Sequence, residues 1–377
     1  MKMIVILSCL SIILGIAAAA EQCNQFEIAL YGRVWQVTSY YVQDDIVINP
    51  NRDYEMLQPD GLACREGVLY VSGDREEWST NSRLAVYAWE SNMLSYSGFM
   101  QLPNTSPDWW GADGITFNKS VNPNSYGGGL DELVAVEADD PAQVGIIDLS
   151  ESAVGSRMPL PPAQDIAFLS GTEQFAVITD GAETSTVTLY DKQMTAPQGS
   201  FFVIASAKGL ASLSADFGQW MSREEGDPNG CVITAAKDTV NRLVMYDLTG
   251  TRIGPPQVLP VTPKSRIPLG GGLYMIKPAF GEVEAITVDE RSHTVFIGDH
   301  ENAMIHILKP LHLAGDATAD GIVDFSDLLV VAANWMSAGC ADPQWCSGAD
   351  MNHSGDVDLW DFAVVAHQFG EAFLINE

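Results

Sequence analysis

Two stretches near the C-terminus carry carboxylates at metal-ligand spacing. The first is DATADGIVDFSD, beginning at Asp316, and the second is DMNHSGDVDLWD, beginning at Asp350. A twelve-residue loop that wraps a hard cation places oxygen donors at positions 1, 3, 5, 7, 9 and 12, with glycine at position 6 for the tight turn. Position 7 uses its backbone carbonyl, and position 9 often works through water. The first stretch supplies Asp316, Thr318, Asp320, Ile322 (carbonyl), Asp324 and Asp327 around Gly321. The second supplies Asp350, Asn352, Ser354, Asp356 (carbonyl), Asp358 and Asp361 around Gly355. Several oxygens of this kind suit Ca2+, so two calcium ions are expected. Each loop leads into a helical apolar pattern: Leu328, Val331, Ala332 and Trp335, then Phe362, Val365, Ala366 and Phe369 thirty-four residues later. Val323 and Val357, at the eighth positions, can pair across the two loops.

These are EF-hand-type loops with two departures. Position 12 is Asp instead of the bidentate Glu, and little helix precedes the first loop. With the phase-locked duplication, both features resemble type I dockerins over about residues 315–369. The segment from Cys340 to Cys346 is an insertion relative to compact cellulosomal dockerins, and is similar to the tails of secreted bacterial proteins with a duplicated Gly-Asp…Asn-Trp pattern. The resemblance implies attachment to a cohesin-like protein or cell-surface partner through loop positions 10 and 11, here Phe325-Ser326 and Leu359-Trp360 in place of the usual small hydroxyl pair. It also implies a polysaccharide-degradation context. The alternative is a calcium-stapled tail that packs on its own chain.

A second set of acids recurs in the preceding part. Five degenerate units, opening at Asp60, Asp113, Asp165, Gly209 and Glu284, each hold short apolar runs separated by turns. The central run is nearly unbroken, as in a strand covered on both faces. The first three openings lie about fifty residues apart, close to one propeller blade with its loops. Phe26–Ile48 could supply a further blade, and Pro255–Ile276 part of one, so the expectation is a mainly β chain with a β-propeller of six blades, ahead of five or seven, followed by a small α-helical module with the two calcium loops. The blades resemble six-bladed propellers of the NHL and phytase-like kind. In the phytase-like kind a carboxylate cluster holds Ca2+, which binds substrate phosphate. That implies a candidate ring of Asp60, Asp113, Asp165 and Glu284, and further Ca2+ in the propeller. A second phased set is Asp74, Asp139, Asp180, Asp238 and Asp299, with Arg75, Lys237 and His300 beside it. The other reading of these acids is that they cap turns by accepting backbone N–H bonds. Trp109-Trp110 is a candidate ligand contact that could stack on a sugar, or a plug for a groove. No His lies between Glu21 and Ser292, so a Ser-His-Asp site would have to recruit His293, His300 or His306. Neither HExxH nor Cys/His zinc spacing occurs.

The 377 residues divide into a signal peptide (1–20), a propeller domain (21–310) and a dockerin-like calcium-binding module (311–377). Lys2, the apolar run Ile4–Ile16 and Ala18-Ala19-Ala20 make the signal, and no later run is long enough to span a bilayer, so the chain is expected to be secreted. A formal charge of −30, from 49 acidic and 19 basic residues, argues against nucleic-acid partners and anionic membranes. Export permits disulfides. Cys340 and Cys346 are expected to pair, while Cys23, Cys64 and Cys231 allow at most one bridge, which the sequence does not choose. The leading functional expectation is a secreted calcium-binding protein, its tail for attachment and its propeller for ligand recognition, with carbohydrate among the candidate ligands. The alternative is a Ca2+-dependent hydrolase, phytase-like or acting on polysaccharide.

Overall fold

A computed structural model describes residues 22–31, 33–42, 58–73, 83–90, 93–101, 112–117, 132–137, 143–148, 153–159, 161–179, 184–222, 224, 227–237, 240–260, 266–270, 273–276, 280–310, 315–318, 323–340, 346–351 and 354–370. The chain opens with strands β1 (Gln22–Leu30) and β2 (Arg33–Tyr41). Four meanders of four antiparallel strands follow. Blade one is β3 (Gly61–Arg65), β4 (Val68–Ser72), β5 (Arg83–Glu90) and β6 (Met93–Gln101). Blade two is β7 (Gly114–Phe117), β8 (Glu132–Glu137), β9 (Gln143–Asp148) and β10 (Ala153–Pro159). Blade three is β11 (Asp165–Leu169), β12 (Gln174–Thr179), β13 (Ser185–Tyr190) and β14 (Pro197–Val203). Blade four is β15 (Ala207–Leu213), helix α1 (Ala215–Ser222), β16 (Cys231–Lys237), β17 (Asn241–Asp247) and β18 (Arg252–Leu259). After a hairpin, β19 (Arg266–Gly270) and β20 (Leu273–Ile276), the last blade is β21 (Val283–Asp289), β22 (Thr294–Asp299) and β23 (Met304–Pro310). On its outer side β23 pairs with β2, and β2 with β1.

The propeller therefore has five blades among the described residues, where the sequence favours six. The Tyr- and Trp-rich N-terminal segment does not start a blade. It adds the two outermost strands to the last one and closes the ring. Pro255–Ile276 is likewise shared between β18 and the β19–β20 hairpin. Each blade also has an outer strand beyond the apolar runs of its sequence unit. Such strands lack the apolar run that marks the central ones: β14 is exposed at five of its seven positions, whereas β22 is buried throughout.

Burial repeats the five-fold count. Five apolar clusters each fill the gap between one pair of neighbouring blades. The inner strands β3, β7, β11, β15 and β21 meet side by side around the axis, leaving a space of about 30 Å3 between them. Close packing there depends on glycine. A Cβ at Gly114 would collide with the Asp165 backbone, and one at Gly61 would lie 2.6 Å from the Asp113 carbonyl.

The C-terminal unit consists of α2 (Phe325–Ala333) and α3 (Leu359–Gln368) with the chain before each. Both helices open with a capping box, Asp324 with Asp327 and Asp358 with Asp361. The Cys340–Cys346 disulfide forms as the sequence indicates. Cys64 and Cys231 lie buried in separate clusters of the propeller core. Val323 and Val357 do share the unit's small core, but their backbone bonds do not run to each other. Gly370 N–H donates to the Val323 carbonyl (2.8 Å) and Met336 N–H to the Val357 carbonyl (3.1 Å), so each loop is tied to the end of the other loop's helix. The two bonds are equivalent under the 34-residue repeat, a local two-fold. Among the described residues no helix is long and apolar enough to cross a membrane.

Candidate metal and ligand sites

In the C-terminal unit, acids at the first and twelfth loop positions turn inward. Asp316, Asp327, Asp350 and Asp361 are all buried, the twelfth-position pair completely. Asp327 accepts from Thr318 N–H (2.9 Å) and hydroxyl (3.0 Å) with one oxygen and from Asp324 N–H (2.8 Å) with the other. Asp361 accepts from Met351 N–H (2.8 Å) with one oxygen and, as Asp327 does, from the N–H of its capping residue, Asp358 (2.8 Å), with the other. Asp350 accepts from Ser354 N–H (3.0 Å) and Gly355 N–H (2.8 Å). These bonds orient carboxylates and leave lone pairs on each oxygen, so the described donors fit a hard divalent cation that gathers oxygens. Asp324 and Asp358 also cap their helices, accepting from Ser326 N–H (2.6 Å) and Trp360 N–H (2.7 Å). Ser354 and Asp356 are exposed. Asp320, Ile322 and Asn352 lie outside the described residues.

The helices do not bury all of their apolar face. Val331 and Val365 are core, yet Trp335, Phe362 and Phe369 are exposed. Phe325, Leu328, Leu329, Val331, Ala332, Trp335 and Phe362 line an open apolar groove. Phe325 (73% exposed), Leu359 (69%) and Trp360 (72%), at loop positions 10 and 11, stand in solvent.

The propeller gathers a second cluster at the end of the axis where the inner strands begin, here the upper face. Asp60, Glu284 and His300 bring ligand atoms within 4.8 Å of one another, and both carboxylates are buried. His300 Nε2 lies 3.6 Å from Asp60 Oδ1. Asp165 joins this end. Burial raises its pKa well above the usual carboxylate range, the Leu210 and Ile166 N–H bonds pull the other way, and the charges of Asp113 and Asp60 add to the rise. The Leu210 bond (2.7 Å) ties blade three to blade four and the Ile166 bond (2.8 Å) stays within β11, so Asp165 accepts backbone N–H bonds with both oxygens.

Sequence reasoning missed Lys208, whose ammonium forms an ion pair with Glu284. Burial lowers its pKa, but the hydrogen bond and charge of Glu284, with Glu282 and Asp60 beyond, outweigh that and raise it. Lys208 stands in blade four where the other blades carry the ring acid. Its signal was the following Gly209, in register with Asp60-Gly61 and Asp113-Gly114. Lys237 pairs with Glu282 (3.0 Å) and Glu301 (3.7 Å). His300, placed by sequence beside the second acidic set, pairs with a member of the first. Of that second set, Asp299 does not face the axis. Asp74, Asp139, Asp180, Asp238 and Arg75 lie outside the described residues, as do Trp109 and Trp110.

Asp299 belongs to a buried relay that distance in sequence concealed. Ser39 Oγ lies 2.8 Å from His306 Nδ1, and His306 Nε2 lies 3.0 Å from Asp299 Oδ2. Burial pushes Asp299 up, but the His306 bond and charge, with Asn302 and the Gly281 N–H, outweigh it and depress its pKa. The ionised carboxylate can only accept, so Nε2 carries a proton. All three side chains are buried, with Phe280 against the imidazole at 4.5 Å. The arrangement has the members of a Ser-His-Asp site but no exposed nucleophile. It fastens β2 to β23 and holds the turn that presents His300.

No family model matches the chain, and no curated protein matches it in sequence. Similar solved structures include glutaminyl cyclase from Myxococcus xanthus (12% identity, TM-score 0.41, 72% of this chain and 95% of that one). An auxiliary nutrient binding protein from Bacteroides thetaiotaomicron aligns at 11% identity and TM-score 0.40, over 73% of this chain and 76% of that one. The Dos1 propeller aligns at 9% identity and TM-score 0.35, over 74% and 75%. At these scores the likenesses carry no argument about what the chain does.

Proposed function

We propose that the chain is a secreted calcium-binding attachment protein. Its C-terminal unit is dockerin-like, takes two Ca2+, and docks on a cohesin-like protein or cell-surface partner, while the propeller recognises a ligand, carbohydrate among the candidates, in a polysaccharide-degradation context. The observation that carries this reading is the two-fold pair of loops with buried aspartates, each leading straight into a helix that opens on a large, exposed apolar residue, Phe325 or Leu359. Buried carboxylates need a cation or donors to offset their mutual repulsion. An exposed apolar groove on so acidic a chain is the surface a partner would cover. Calorimetry on the full chain should find two Ca2+ sites, with Asp316→Asn and Asp350→Asn each removing one. A purified cohesin module should bind only with Ca2+, and Phe325→Asp with Trp360→Asp should abolish that binding. Absence of calcium binding refutes the reading. Calcium binding without a cohesin complex refutes its docking part.

A second reading, a Ca2+-dependent hydrolase, rests on the upper-face cluster of Asp60, Glu284 and His300. A metal there would hold an anionic substrate such as a phosphoester, with Lys208 offsetting further negative charge. It requires phosphomonoester or polysaccharide hydrolysis that depends on Ca2+, survives Asp316→Asn with Asp350→Asn, and falls in Glu284→Gln. Hydrolysis unaffected by Glu284→Gln rules it out.

A further inference from the structure

We propose that the lower face of the propeller is a seat for the first aspartate loop, and that a cation in that loop locks the C-terminal unit onto it. The inference rests on the reading of this loop as a calcium site. Its centre is Arg33, the first residue of β2 and buried. The guanidinium lies over the Trp220 ring at 4.2 Å, and its Nη2 donates to the Trp220 carbonyl (2.6 Å). Trp220 is held on α1 by Phe217 (5.1 Å between rings), His293 (4.3 Å) and Trp35 (6.0 Å). The Trp220 ring and carbonyl thus set the height and plane of the guanidinium.

The C-terminal unit contributes the carbonyl of Thr318, which accepts from Arg33 Nη1 at 3.2 Å. Thr318 is the third residue of the loop, and both its N–H and its hydroxyl are held by Asp327. The direction of that carbonyl thus depends on the carboxylate that closes the loop. Four acids in this loop repel one another until a divalent cation gathers them. The loop stays net negative after loading, so charge alone would draw Arg33 in either state. The directional bond to the carbonyl is what needs the closed loop. Cation binding and seating are then linked, and by reciprocity Arg33 raises the first loop's cation affinity.

The test uses the full chain, with calorimetry for Ca2+ and amide hydrogen exchange for the seat. In the wild type, Ca2+ should slow exchange in α1 and around Arg33 about ten-fold. Arg33→Met should still bind two Ca2+, with the first site weakened about ten-fold and the protection gone. Asp316→Asn, which leaves every propeller residue in place, should also make α1 exchange insensitive to Ca2+, so the proposal stays testable if Arg33→Met fails to fold. Two bound Ca2+ with no change at α1 would overturn the seating and leave the calcium reading standing. Ca2+-dependent protection that persists in either variant would overturn it equally. No Ca2+ binding at all would remove both.

Discussion

Asparagine at position 299 would change the role of one atom where four donors converge. Asp299 Oδ2 accepts from Gly281 N–H (2.7 Å), Asn302 Nδ2 (2.7 Å) and His306 Nε2 (3.0 Å), and Oδ1 accepts from Asn302 N–H (3.1 Å). An amide must put its NH2 in one of these places. Facing the three donors would be prohibitive, so the NH2 should take the Oδ1 side. That takes the Asp299 acceptor away from the Asn302 N–H in a buried site and turns three charge-assisted bonds neutral. Losing that buried acceptor costs about 1–3 kcal/mol, and each lost charge assistance about 0.5–1 kcal/mol, for a total of about 2.5–6 kcal/mol. Urea unfolding of Asp299→Asn should show a lower midpoint at unchanged slope, the shift times the slope equalling that loss. The sign with pH follows from the depressed carboxyl. Its stabilisation is fully present above the unfolded value of about 3.9 and is lost as pH falls through the folded value, so wild type and variant should converge in acid. A loss below about 1 kcal/mol at neutral pH, or a gap that does not close in acid, would refute the relay as a structural clamp.

Two further outcomes test other parts of the structure. Asp165 titrates with the opposite sign: its raised pKa makes the folded state hold a proton from about pH 4 upward, so its contribution falls as pH rises, and Asp165→Asn should flatten that part of the stability–pH curve measured by denaturant midpoints. Replacing Cys340 and Cys346 with serine opens a short loop and should destabilise the C-terminal unit by about 2 kcal/mol, read from its own unfolding step, with the bridge confirmed by mass spectrometry of a non-reduced digest.

The inner and central strands were legible because burial on both faces writes an apolar run, as in the β12 core Phe175–Ile178 and the whole of β22. The outer strands were not. Pro197-Gln198-Gly199-Ser200 in β14 reads as a turn, and only pairing with β13 makes it a strand. The blade count failed for a related reason: nothing in Trp35 or Val37 reveals that their partners are Pro310 and Leu308. The same long-range pairing hid the site contacts that matter most. Ser39 and Arg33 are ordinary residues of a β-strand until ring closure sets one beside His306 and the other beneath the first aspartate loop. The aspartate loops were readable because their chemistry is local, twelve consecutive residues around one glycine. Lys208 is legible too, since it holds the ring position before Gly209, but its charge is opposite to that of the acids that mark the ring.

Closing the last blade with the first strands also fixes an order of events during synthesis. Ser39 must wait for His306, 267 residues later, before β2 has its partner. At about 5–20 residues per second that is roughly 15–50 s of elongation. Blades one to four can each form from contiguous chain in that interval, while the β2 edge of the β1–β2 hairpin stays open. The strand β2, rich in Tyr, Trp and Val, is thus the one longest without its partner, and its unpaired edge could join another chain as readily as its own. Arrival of β23 ends this exposure in a single step and aligns Ser39, His306 and Asp299 together, so the newly made propeller passes from open to closed late and all at once.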